Sequence, residues 1–139
     1  QLRIGIVLGA RGGALAMMLP PFKMCIGGPL GDGRQWMSWI HIDDLVGLIL
    51  HAIHTESLEG PLNGTTPSPV TNLEFSRTLG RVLGRPAVLT MPGPVLRLLK
   101  GEFADILLTG QRVVPKKAEA SGFKFRFPQL EGALREILA

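Results

Sequence analysis

The run Trp36-Met37-Ser38-Trp39-Ile40-His41-Ile42-Asp43-Asp44-Leu45-Val46 constrains the fold of this chain more than any other stretch, because a short apolar strand passes directly into an acidic helix start. Asp43 or Asp44 can accept hydrogen bonds from the first unpaired backbone N–H groups, and a carboxylate suits the positive end of a helix. The helix reads on to His54. Asp44, Gly47, His51 and His54 share one narrow face, while Leu45, Val46, Leu48, Ile49, Leu50, Ala52 and Ile53 cover the rest of the circumference. A helix apolar over so wide an arc predicts burial inside a layered α/β protein.

The 139 residues suffice for one compact domain, and 45% hydrophobic against 19% charged residues exclude a disordered chain. Eleven prolines and eighteen glycines cut the sequence into short pieces, which fits many strand and helix junctions better than a helical bundle. The net charge of +4 invites an anionic partner, yet the basic residues are dispersed without a five-residue run, and nucleic-acid binding is not expected. Cys25 has no second cysteine to pair with, so it reads as a small buried residue in a reducing compartment, the cytoplasm or an organelle interior. The apolar runs are interrupted far short of the ~20 residues a membrane span requires.

Read in order, Leu2 to Leu8 is a nearly continuous β-type run with neither an initiator Met nor a signal pattern before it, which predicts part of something longer. Exposed in isolation, such a strand predicts self-association through Leu2 to Leu8, with Ile4 and Ile6 in the contact. Gly9 to Gly13 form the loop at its carboxyl end, where open α/β sheets bind ligands. The glycines do not spell G-x-G-x-x-G, and the helix from Ala14 to about Leu19 is expected to stop at Pro20-Pro21. Phe22 to Gly33, with Gly27-Gly28-Pro29 and Gly31-Asp32-Gly33, predicts a hairpin or irregular excursion. Leu62 to Gly64 reads as a strand. Thr71-Asn72-Leu73-Glu74 is a capping box whose helix ends at Gly84. A strand over Ala87 to Leu89, a helix from Pro94 to Leu99 and another from Phe103 to Thr109 follow. Phe123, Phe125 and Phe127 alternate with Lys124 and Arg126 as in a half-buried strand. His41, Asp43 and Asp44 have metal-ligating chemistry, but at these spacings they favour capping, and no metal site is assigned.

With these pieces in order, the chain resembles the C-terminal half of a short-chain dehydrogenase/reductase of the extended or atypical type, and more narrowly an NAD(P)-dependent epimerase family. The resemblance is carried by Arg3-Ile4-Gly5-Ile6-Val7-Leu8-Gly9, Gly12-Gly13-Ala14-Leu15, Trp39-Ile40-His41-Ile42-Asp43-Asp44-Leu45, Leu62-Asn63-Gly64 and Pro69-Val70-Thr71-Asn72-Leu73-Glu74-Phe75. The tail adds Gly110-Gln111-Arg112-Val113-Val114-Pro115, Gly122-Phe123 and Phe127-Pro128. It implies an α/β fold, the C-terminal part of a Rossmann-like extended fold with a small α+β substrate-side subdomain. Residues 1–99 would then belong to the epimerase/dehydratase-like domain and 100–139 to a family-specific tail.

The resemblance also implies chemistry: hydride transfer or epimerisation at a nicotinamide, NADP or NAD, acting on a small molecule. Leu8 and Gly9 are the residues it places toward the nicotinamide, and Trp36, Met37 and Trp39 those it places on the substrate-pocket wall. Met37 stands where nucleotide-sugar members carry a diphosphate-gripping arginine, which points to an apolar substrate instead. The chain contains no tyrosine, so the family's Tyr-x-x-x-Lys pair is absent and no catalytic residue is assigned. Isolated, it is expected to be inactive and to hold no nicotinamide tightly. The alternative is a non-catalytic binding or assembly module.

Overall fold

The computed structural model describes residues 1–101 and 108–139. Its strands are β1 (Leu2–Ile4), β2 (Ile6–Leu8), β3 (Trp36–Met37), β4 (Trp39–His41), β5 (Leu62–Gly64) and β6 (Val70–Thr71). Its helices are α1 (Gly13–Lys23), α2 (Ile42–His54), α3 (Asn72–Leu83), α4 (Gly93–Lys100), α5 (Lys116–Ala120) and α6 (Leu130–Ile137). β1 pairs with β5 and β2 with β4, both parallel, while β3 and β6 are antiparallel. The helix expected over 103–109 falls largely on residues outside those described.

The run from Leu2 to Leu8 is divided at Gly5. The Gly5 N–H donates to Gly64 O at 3.1 Å and the next N–H, of Ile6, donates to Ser38 O at 2.8 Å, so one run serves two neighbouring strands. A Cβ on Gly5 would overlap the Ser38 carbonyl oxygen, which makes glycine the residue that permits the close approach. Leu8 is fully buried, but Ile4 is 53% exposed.

The main core gathers Leu8, Leu15 and Phe22 with Trp39 and the inner faces of α3 and α6, where Phe75, Leu79 and Leu134 are fully buried. A smaller cluster of Leu48, Leu62 and Ala118, with Leu2, Ala52 and Phe123 against it, joins α2 to β5 and the tail. α3 follows its sequence closely. The Thr71 hydroxyl accepts from the Glu74 N–H at 3.2 Å, and Gly84 closes the other end in a left-handed conformation. On α6, Glu131 accepts from Arg135 at 2.8 Å and stands 3.5 Å from Arg81 of α3. The Arg135 hydrogen bond, helped by both guanidinium charges, holds the Glu131 carboxyl below its ordinary range.

Several local expectations are corrected. α1 continues through Pro20 and Pro21 to Lys23. The two missing N–H groups cost bonds only near the helix end, their own carbonyls still accept from Met24 and Ile26, and Phe22 is anchored in the core beside them. Ala87 to Leu89 forms no strand; Val88 is 78% exposed, and pairing is confined to a bridge between Leu30 and Met91. Phe123 to Phe127 keeps the alternating burial of a strand without a strand partner. α2 is buried on one side only: Leu45 and Leu48 are buried, but Val46, Leu50 and Ile53 are 50%, 52% and 68% exposed.

Candidate functional site

The carboxyl ends of β2 and β4 lie side by side, with Leu8 opposite His41. Gly9 turns away from this edge through a bridge to Gly12, and α1 begins at Gly13, whose φ of 75° favours glycine. This is the position at which open α/β sheets take ligands. Leu8 contributes no exposed side chain, so the edge offers backbone and the half-buried Gly9, over which Ile42 is folded.

The three residues expected on a pocket wall are separated by strand geometry. Side chains alternate along the backbone. Met37 and Trp39 face the core, where the Asn72 side-chain amide donates to the Met37 sulfur at 3.4 Å and the Trp39 indole N–H donates to Ser68 O at 3.1 Å. Trp36 is half-buried, and the Arg112 guanidinium stands 5.5 Å from its ring centroid. Of the three, Trp36 is the one this chain presents outward.

The acidic motif does something different from what its spacing suggested. The N-cap of α2 is His41, whose Nδ1 accepts from the Asp43 N–H at 3.0 Å. That bond requires the proton on Nε2, which donates to Glu136 Oε2 of α6 at 2.6 Å, and Phe127 stacks on the imidazole at 4.1 Å. Asp44, 2% exposed, does not cap its own helix either. Its two carboxylate oxygens accept the Arg126 and Phe127 N–H groups at 2.8 and 3.0 Å, taking the place of the missing strand partner. Thr66 donates to Pro128 O, and Ser38 donates to Gln111 O while accepting from the Val113 N–H. The whole set is a clasp that holds the tail across the sheet.

His41, Asp43 and Glu136 bring one potential ligand atom each within 4.8 Å of one another. Both imidazole nitrogens are already engaged in hydrogen bonds, so the arrangement works as a structural latch. Sequence reasoning missed Glu136, which lies 95 residues from His41 and follows no motif; it also missed Ser38 and Thr66, whose roles depend on where the tail passes.

Residues 91–137 match the family described as a domain of unknown function (DUF1731). The Arabidopsis thaliana chloroplastic homologue of epimerase family protein SDR39U1 is 51% identical over 99% of this chain and 40% of its own length. The human protein of that name is 46% identical over 99% of this chain and 47% of its own length, and Bacillus subtilis YfhF is 42% identical over 99% and 45%. The chain therefore spans about half the length of the curated relatives it matches. A crystal structure of the human protein with NADPH superposes with a TM-score of 0.94 at 45% identity, covering 98% of this chain and 46% of that one. UDP-glucuronic acid 4-epimerase from Bacillus cereus shares the fold, with a TM-score of 0.71 at 16% identity, covering 98% of this chain and 42% of that one.

The fold is thus the Rossmann-type α/β fold of the extended short-chain dehydrogenases/reductases. Within it the chain is the counterpart of the carboxyl-terminal half of an epimerase family protein.

Proposed function

We propose that this chain is the substrate-side half of an NAD(P)-dependent oxidoreductase or epimerase-like protein, with NADP as the nicotinamide, and that it is not catalytic by itself. The observation that carries this reading is the 0.94 TM-score to a relative crystallised with NADPH, of which this chain covers 46%. Leu8 and Gly9 offer the nicotinamide a backbone edge without a protruding side chain, and the half-buried glycine is compatible with a flat ring lying there. When bound, the nicotinamide would supply or accept the hydride. This chain's own part is to orient the substrate: Trp36, with the Arg112 guanidinium 5.5 Å from its ring centroid, forms the outward wall. Proton transfer is left to residues outside this chain, which contains no tyrosine. A reducing compartment, cytoplasmic or within an organelle, suits the single Cys25. No helix among the described residues is long and apolar enough to cross a membrane.

The test is calorimetric titration of the purified chain with NADPH and NADH. No saturable binding in the micromolar range is expected, because the fingerprint loop that cradles the pyrophosphate is missing from the sequence. Micromolar affinity for either cofactor overturns the reading.

A further inference from the structure

Met37 and Trp39 both face the core, so Trp36 and Ser38 lie on the other face of the same run, and the tail crosses that face. The crossing is tight. A Cβ on Gly110 would overlap the Trp36 carbonyl oxygen, and the Ser38 hydroxyl donates to Gln111 O at 2.7 Å while accepting from the Val113 N–H at 3.0 Å. Arg112 is the residue between these two bonds. Its backbone is therefore pinned on both sides, while its side chain is exposed and its guanidinium carbon stands 5.5 Å from the Trp36 ring centroid. The ring face attracts the charge but supplies no carboxylate. Arg81 and Arg135 both meet Glu131, whereas among the described residues no carboxylate is paired with Arg112.

We propose that Arg112 is the specificity-determining residue of the substrate wall, and that the substrate is a small molecule carrying one carboxylate on a planar apolar body. The inference rests on the reading of Trp36 as that wall and names the substrate class. Arginine presents its N–H donors in a planar fork that matches a carboxylate with two parallel hydrogen bonds. One guanidinium balances one carboxylate charge for charge, and the half-buried indole beside it offers a flat apolar surface to the rest of the molecule. Met37 neither supplies nor denies charge to this wall, because its side chain lies in the core. The cation comes instead from the tail, and Ser38 fixes where it stands.

The probe is phenylacetate, with phenylacetamide as its uncharged counterpart, titrated into the purified chain without nicotinamide. Heteronuclear NMR follows the two indole N–H signals and the Arg112 Nε–H. Phenylacetate is expected to shift the Trp36 and Arg112 signals saturably and phenylacetamide to leave them in place. Arg112→Gln should abolish the saturable shift, and Arg112→Lys should weaken it at least fivefold, since an ammonium keeps the charge without the planar fork. The Trp39 indole N–H, bonded to Ser68 O in the core, should not move in any variant and reports an intact fold. Equal affinity of the parent chain and Arg112→Gln overturns the proposal, as does the absence of saturation or an equal response to phenylacetamide. Inorganic phosphate saturating the same signals more tightly than phenylacetate also overturns it and gives the site to phosphate. The two readings fail separately: micromolar NADPH affinity defeats the proposed function whatever phenylacetate does, and an Arg112→Gln chain that binds phenylacetate like the parent defeats this inference whatever NADPH does.

Discussion

α2 and α3 are nearly the same length, 13 and 12 residues, and each is capped by the side chain of the residue before it, yet they stand in opposite relations to the rest of the chain. α3 buries Phe75 and Leu79 while its outward positions are polar or charged, including Glu74, Arg77 and Arg81. α2 buries Asp44, Leu45 and Leu48 and turns isoleucine, leucine and valine outward as well. The pattern of α3 is satisfied by what this chain contains, whereas that of α2 calls for a second surface. An amphipathic pattern reports how many partners a helix has, and here the apolar arc of α2 is too wide for one.

Truncating matched leucines breaks or sustains this contrast most forcefully. Leu79 is fully buried, so Leu79→Ala should lower stability by about 2–5 kcal/mol. Leu50, 52% exposed on a helix that tolerates alanine well, should change by less than about 0.5 kcal/mol as Leu50→Ala. Urea unfolding followed by circular dichroism measures both. Comparable losses at the two sites would mean that the outward face of α2 is already covered in solution.

The polar side of α2 gives the next largest effect. Asp44→Ala removes the acceptor of two backbone N–H groups and should cost about 3 kcal/mol, because those donors are left without partners. Asp44→Asn, which keeps one good acceptor, should cost roughly half as much. Limited proteolysis is the local readout, with faster cleavage between Arg112 and Gln129 in the alanine variant. Unchanged cleavage would show that the tail is held by its apolar contacts alone.

These two helices also mark what could be read from residues alone. Thr71, Glu74 and Gly84 delimit α3 because capping is local chemistry, decided within a few residues of each end. The strand at Leu62 to Gly64 and the start of α4 at its proline were legible for similar reasons. The destination of Asp44 was not, since a carboxylate at a helix start looks alike whether it caps its own helix or reaches a segment 82 residues away. The phenylalanine alternation told which side chains of 123–127 are half-buried but not what their backbone bonds to. Pro20-Pro21 misled because the burial of Phe22 outweighs a local breaking tendency. At the candidate site, the strand end at Leu8 and Gly9 was visible as a strand followed by glycines, whereas the inward turn of Met37 and Trp39 follows from the register of β3 and β4.

The smallest effect belongs to the cap of α3. Thr71 accepts from the Glu74 N–H at 3.2 Å on an exposed part of the surface, so water can take over much of the bond when the hydroxyl is removed. Thr71→Ala should therefore cost about 1 kcal/mol, within the ~0.5–2 kcal/mol range of such replacements, and Thr71→Ser should recover most of it. The loss should appear as a lower urea midpoint with an unchanged slope, because the same surface is exposed on unfolding. A larger loss accompanied by a smaller slope would mean that the first turn of α3 frays and loosens the contact with β3. A cap on α2 offers the internal control: His41 is buried and also holds Glu136, so His41→Ala should cost more than Thr71→Ala at a formally equivalent position. The difference between the two caps measures how much of the stability of α2 depends on the tail rather than on the helix itself.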